Sequence, residues 1–115
     1  MSTLHVISGK YKDKPLKVLE GRSIRPTSGR VKESLFNILQ FRITGISMLD
    51  IFAGTGQIGI EALSRGAKSV TFTDLEDTYL QKNLRRCGCD KEAEVCRGEF
   101  NSTLYRLLDM HRKYD

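Results

Sequence analysis

Five residues of this 115-residue chain have types and spacing that can do chemistry: Asp50, Gly54, Gly56, Gly59 and Asp74. Gly54 and Gly56 permit a tight turn with positive φ and let a ligand approach the backbone. Gly59 permits close packing of a helix on the preceding strand. Asp74 lies 20 residues beyond Gly54, where an acid can accept hydrogen bonds from ribose hydroxyls. An ordinary strand-to-helix turn, with its acid facing water, explains either feature alone. Together they point to a nucleoside-containing cofactor. The glycines also satisfy the G-x-G-x-x-G dinucleotide pattern, which is weak by itself. Asp50 argues for S-adenosylmethionine instead, because a carboxylate buried beside the turn suits a cationic methionine end better than a pyrophosphate. So does the long arm ahead of the first sheet strand, since dinucleotide domains often begin with the fingerprint itself.

The elements that must position these residues alternate in type. Residues 46–52 read as a short apolar strand, and 58–65 as a helix stopped by Gly66, a favoured residue just past a helix C-terminus. Residues 69–73 form a second strand with Asp74 at its end, 77–86 a helix, 87–93 a loop and 94–97 a third strand. Residues 102–111 form a last helix with Leu104, Leu107, Leu108 and Met110 as its apolar stripe. This order predicts an α/β, Rossmann-like fold with about three parallel strands and right-handed crossovers. The glycines fall where ligands bind such sheets, at the carboxyl ends of the strands.

Ahead of this lies a different region. Residues 4–8 and 16–19 read as strands of a hairpin around Gly9-Lys10-Tyr11-Lys12-Asp13-Lys14-Pro15. Residues 21–29 read as an irregular loop, with Pro26 forcing Arg25 out of the helical region. Val31, Leu35, Ile38 and Leu39 then recur at helical spacing, with Lys32, Glu33, Asn37 and Gln40 on the other side. Ser28 or Gly29 would cap that helix. Two units are expected: 1–44, holding the hairpin, loop and helix, and 45–115, the first half of a cofactor-binding domain.

The chain carries a net charge of +5, unevenly spread. Up to Met48 nine basic residues face three acidic ones, whereas the remainder is nearly balanced. A basic arm on a near-neutral body suits a polyanionic partner such as nucleic acid, although a merely solvated basic surface would look the same. No apolar run approaches the ~20 residues that span a bilayer, and the N-terminus lacks the pattern of a secretory signal. The three cysteines, Cys87, Cys89 and Cys96, fit a reduced, cytoplasmic protein. Cys87-Gly88-Cys89 is not zinc-like spacing, so core and loop roles are expected and no metal. His5 and His111 have no partners that suggest catalysis.

At this point a resemblance becomes specific. Asp50-Ile51-Phe52-Ala53-Gly54-Thr55-Gly56 is similar to the first motif of Class I S-adenosylmethionine-dependent methyltransferases. A longer colinear set resembles the RsmD family, bacterial enzymes that methylate a guanine N2 in small-subunit ribosomal RNA. It comprises Gly9-Lys10-Tyr11-Lys12, Arg25-Pro26-Thr27-Ser28 and Arg30-Val31-Lys32-Glu33-Ser34-Leu35-Phe36-Asn37, then the glycine turn. Gly59, Glu61-Ala62-Leu63-Ser64-Arg65-Gly66-Ala67 and Val70-Thr71-Phe72 before Asp74 complete it. The resemblance implies that Asp50, Phe52, Ala53, Gly54, Thr55, Gly56 and Gly59 wrap the methionine end of S-adenosylmethionine. Asp74 would hold the ribose, Leu75 the adenine, and Glu99 the adenine amine. Arg25 and Thr27 would close over the cofactor. Lys10, Lys12, Lys14, Arg22, Arg25 and Arg30 would face ribosomal RNA of the small subunit, a salt-sensitive attraction. The resemblance also implies a monomer.

The sequence departs from that pattern in one place that matters. Family members carry an Asp-Pro-Pro-Tyr or Asp-Pro-Pro-Phe motif that holds the guanine, yet the only prolines here are Pro15 and Pro26. No residue of this chain is therefore assigned as catalytic, and the 115 residues are expected to be an inactive, truncated piece. Gly29 replaces an Asp, and Gly98-Glu99-Phe100 replaces Gly-Asp-Ala. The first sheet strand would lack a partner on one side, an open edge that invites self-association. Two other readings stay open: a module that binds S-adenosylmethionine or RNA without turnover, and a fragment of a dinucleotide-dependent oxidoreductase.

Overall fold

The computed structural model describes residues 4–17, 29–51, 53–74, 78–99 and 114. Its centre is a parallel sheet of β3 (Ser47–Ile51), β4 (Ser69–Asp74) and β5 (Ala93–Arg97), ordered β3-β4-β5. Registers run Ser47↔Ser69 to Ile51↔Thr73, and Val70↔Ala93 to Asp74↔Arg97. Val70, Thr71, Phe72 and Thr73 of β4 are all buried, as expected for a strand paired on both sides and covered by helices. The sheet, its three strands and their parallel sense agree with the sequence reading. A short 3₁₀ turn, Asp90–Glu92, occupies part of the stretch expected as loop.

Helix α2 (Gln57–Ser64) follows the glycine turn, and every residue except Ile58 is buried. Gly59 makes this packing possible. A Cβ there would stand 2.9 Å from Val70 Cγ1 and closer still to the Phe72 ring. The helix ends at Arg65, with Gly66 at φ 109, the left-handed stop the sequence predicts. Helix α3 (Thr78–Cys87) buries Leu80, Asn83, Leu84 and Cys87. Tyr114 returns to β4, where its hydroxyl donates to Thr71 Oγ1 at 3.1 Å. The helix expected over 102–111 lies outside the described residues.

The N-terminal hairpin forms with shorter strands than expected. Strand β1 (Leu4–His5) pairs antiparallel with β2 (Pro15–Leu16). Backbone bonds carry the pairing one residue further, the Val6 amide donating to the Lys14 carbonyl at 3.0 Å and the Val6 carbonyl accepting from the Asp13 amide at 2.8 Å, and side chains take the bonds beyond. The Ile7 and Ser8 amides donate to the Glu61 carboxylate at 2.9 and 3.0 Å. Lys17 gives both its amide and its carbonyl to Asn83.

Helix α1 (Gly29–Leu39) corrects the expected burial. Val31, Leu35 and Ile38, read as the core face, are 58%, 38% and 79% exposed. Lys32 and Phe36 are buried in their place, at 0% and 1% exposure, while Leu39 packs partly on the core. The reason is an ion pair. Lys32 Nζ lies 3.3 Å from Glu61 Oε1 and donates to the His5 carbonyl at 3.0 Å. Burying that pair turns the 32–36 stripe inward and the Val31–Leu35–Ile38 stripe outward. The helix begins at Gly29, so a cap would fall on Ser28, outside the described residues. Among the described residues, no helix is long and apolar enough to cross a membrane.

Candidate functional site

The turn that links β3 to α2 is built from backbone bonds. The Ala53 amide donates to the Thr73 carbonyl at 2.9 Å, and the Gly56 amide closes back on the Ala53 carbonyl at 2.9 Å. Gly54 and Gly56 sit at φ 60 and 83, conformations glycine adopts without strain. Asp74, at the end of the neighbouring strand, reaches this turn. Its Oδ2 accepts from the Gly54 amide at 2.7 Å. The two places that the sequence suggested belong together therefore touch.

The turn is packed on one side and open on the other. A Cβ on Gly56 would meet Leu80 Cδ1 at 2.4 Å, whereas one on Gly54 would meet nothing within 4 Å. Gly54 thus borders free space beside a carboxylate, an opening where a ligand can lie against the backbone. Among the described residues, no side chain comes within 4 Å of a Cβ placed at Gly54.

Asp50 anchors the base of the turn. It accepts from the Gly59 amide at 3.1 Å, fixing the first turn of α2 against β3. Burial pushes its carboxyl up to about 6, the Gly59 amide opposes this, and the nearby Asp74 charge adds to it. Ionised and buried, such a group gains from an incoming cation. The Gly98 amide donates to the Asp74 carbonyl at 3.0 Å. That places Gly98, and exposed Glu99 after it, at the same carboxyl end of the sheet. Asp50, Ala53, Gly54, Thr55, Gly56, Gly59, Asp74 and the backbone of Glu99 are therefore brought to one end. Phe52, Leu75, Arg22, Arg25 and Thr27 lie outside the described residues.

The hairpin lysines expected to meet RNA are elsewhere. Lys10 pairs with Glu92 at 3.1 Å, just before β5 begins, and its amide donates to the Ser64 carbonyl at the end of α2. Both partners mark the amino end of the sheet, opposite the glycine turn. Glu92, with Tyr11 adding, raises the Lys10 pKa. Lys12 and Lys14 are exposed on the same hairpin turn, and Arg30 is exposed on α1.

Several positioning residues carried no role in the sequence reading. Glu61 accepts from Ile7, Ser8 and Arg65, and pairs with Lys32. Ser64 Oγ donates to the Ser8 carbonyl and accepts from the Tyr11 amide. Gly9, at φ 92, lies so near that a Cβ would fall on the Ser64 carbonyl. Asn83 bonds the Thr55 carbonyl of the turn. One signal was available, a Glu61–Arg65 pair at helical spacing inside an otherwise apolar helix. Among the described residues, no group of three or more His, Cys, Asp or Glu could hold a metal ion.

Comparison with known proteins places this geometry. Residues 4–115 match the family model described as Conserved hypothetical protein 95. Over 96 residues the chain is 47% identical to ribosomal RNA small subunit methyltransferase D of Haemophilus influenzae, covering 80% of this chain and 50% of that protein. The same-named protein of Escherichia coli K12 is 37% identical over 82 residues, covering 71% and 41%. The chain thus spans about half the length of the curated relatives it matches. Among solved structures, a hypothetical protein of Thermus thermophilus superimposes with a TM-score of 0.85 at 28% identity, covering 96% and 64%.

Proposed function

Since the chain belongs to the RsmD family, we propose that its glycine turn and Asp74 bind S-adenosylmethionine, in the service of methyl transfer to a guanine N2 of small-subunit ribosomal RNA. One observation carries this reading: the Gly54 amide and the Asp74 carboxylate meet beside open space. The bound cofactor would supply a sulfonium methyl group. The residues of this chain do the holding. Asp74 accepts from the ribose hydroxyls. Asp50 places a carboxylate beneath the turn, toward the cationic end of the methionine. Phe52 to Gly56 present backbone to it, Gly59 seats α2, and Leu75 and Glu99 serve the adenine. Arg25 and Thr27 close over the cofactor.

Ribosomal RNA is the polyanion that suits the basic hairpin, through Lys10, Lys12, Lys14, Arg22, Arg25 and Arg30, and the cytoplasm is where the two would meet. Transfer to an amino nitrogen requires that nitrogen in line with the methyl group. No Pro-Pro pair occurs among these residues, so the 115 residues on their own are proposed to bind without turnover.

Calorimetry with S-adenosylhomocysteine and, separately, with NAD tests the cofactor. Binding of the thioether and not of NAD is expected. The reverse would make the chain a dinucleotide-binding fragment. Methyl transfer to unmodified small ribosomal subunits tests turnover, and clear activity by this chain alone would overturn the incompleteness.

A further inference from the structure

Asn83 has no part in the proposed chemistry, yet it is completely buried and spends its whole amide on backbone. Its Oδ1 accepts from the Lys17 amide at 2.7 Å. Its Nδ2 donates to the Lys17 carbonyl at 3.0 Å and to the Thr55 carbonyl at 2.9 Å. The amide orientation is fixed by chemistry, because one partner is a donor and two are acceptors. Lys17 follows β2, and Thr55 sits between the two left-handed glycines of the turn. One side chain therefore joins three segments that lie far apart in sequence.

Leu80 lies one helical turn earlier on the same face of α3, where Gly56 passes against it. Asp74 holds the turn through the Gly54 amide from the other side. The turn is thus gripped at an amide by β4 and at a carbonyl by α3. Only asparagine suits the second grip. Aspartate would set a negative charge against two carbonyl oxygens. An apolar isostere would leave three backbone groups without partners, and each buried unmet group is costly.

We propose that Asn83 is a positioning residue that sets the carbonyl side of the cofactor turn and ties it to the base of the basic hairpin. The two proposed ligand-facing parts of the chain, one for a nucleoside cofactor and one for RNA phosphates, then share a single joint. The ligand assignments rest on the function proposed above, whereas the joint itself does not.

Amide hydrogen exchange of the ligand-free chain tests it, with Asn83→Asp, Asn83→Ala and the control Leu84→Val. Asn83→Asp keeps the acceptor for the Lys17 amide and loses both donors. Exchange at Gly54 and Gly56 is expected to rise on the order of tenfold, one buried hydrogen bond's worth, with Lys17 still protected. Asn83→Ala should expose both places. In Asn83→Asp the turn should regain protection as acidification protonates the new carboxyl and restores a donor. Leu84→Val should leave the ratio of turn to Lys17 protection unchanged. Unchanged turn exchange in Asn83→Asp, or the same pattern in Leu84→Val, would overturn the proposal. Titration of the same variants with S-adenosylhomocysteine separates the two ideas. If the wild type fails to bind, the cofactor reading falls while the exchange pattern still decides the joint. If the wild type binds, Asn83→Asp should bind on the order of tenfold more weakly.

Discussion

At the scale of single residues, Asp50, if it serves the proposed cofactor, does so against the fold that carries it. An unfolded aspartate loses its proton near 3.8, whereas Asp50 keeps it up to about 6. Its contribution to stability is therefore complete below the lower value and is lost as pH rises through the higher one. At neutral pH the ligand-free protein holds an ionised carboxylate that it would hold more easily neutral. Asn can still accept from the Gly59 amide without that charge. Asp50→Asn is expected to stabilise the ligand-free chain at pH 7 by about 1–2 kcal/mol, since each pKa unit is worth about 1.4 kcal/mol, and thermal unfolding measures it. The same substitution should weaken S-adenosylhomocysteine in calorimetry, and wild-type affinity should fall as pH drops through about 6. Gain of stability without loss of affinity would remove Asp50 from the site. The glycine turn was legible at this scale because positive φ and close backbone approach leave few residue choices. Asn83 was not, since an asparagine on a polar-looking helix face gives no sign that its partners lie at Lys17 and Thr55.

Among the elements, α1 taught the most about reading sequence. Helical spacing located it correctly, and counting apolar residues then chose the wrong face. Such counting treats lysine as solvent-facing, whereas Lys32 is buried against Glu61. Phe36, one turn on, is covered by the Arg65 guanidinium at 4.9 Å from the ring centroid. The two faces make opposite predictions. Phe36→Ala should cost about 3–5 kcal/mol, while Ile38→Ser should fall within about 0.5 kcal/mol of wild type. Denaturant unfolding of both decides the orientation, and the reversed ranking would restore the sequence-based face. Glu61 is the pin of the whole arrangement. Removing it leaves the Lys32 charge buried without its counter-ion, with the His5 carbonyl still accepting from it, a loss of about 3–5 kcal/mol. Glu61→Ala should therefore free the hairpin, seen as rapid exchange of the Ile7 and Ser8 amides. The parallel sheet was legible because strands and helices alternate from residue 46 onward. The short hairpin strands were not, because the Glu61 carboxylate takes the amides of Ile7 and Ser8 and the Asn83 amide takes the backbone of Lys17, just beyond the paired residues.

For the molecule as a whole, charge and edges matter most. Lys12 and Lys14 are exposed on the hairpin turn, and Lys10 is held by a surface pair with Glu92 and by the Tyr11 ring beneath it, contacts that are cheaply exchanged. If these residues meet phosphates, replacing Lys12 or Lys14 by Ala should lower the salt dependence of RNA binding by about 0.9 in the log–log slope for each phosphate no longer neutralised. Filter binding over a range of salt concentrations measures this, and an unchanged slope would make the basic surface merely solvated. Among the described residues, no strand pairs with the outer edge of β3, the kind of edge that templates association. Sedimentation at rising concentration is expected to show species heavier than the 13.0 kDa chain. A single light species throughout would mean the edge is protected.

The Lys10–Glu92 pair and the Asp74–Gly54 hydrogen bond lie at opposite ends of the strands. A six-residue strand such as β4 separates its ends by about 20 Å. A nucleic acid gripped at the hairpin while offering a base near Asp74 must bridge that gap with its own fold. The unit recognised is then an architecture and not a short string of letters. Isolated oligonucleotides that carry the right base but lack the surrounding tertiary structure should be poor ligands.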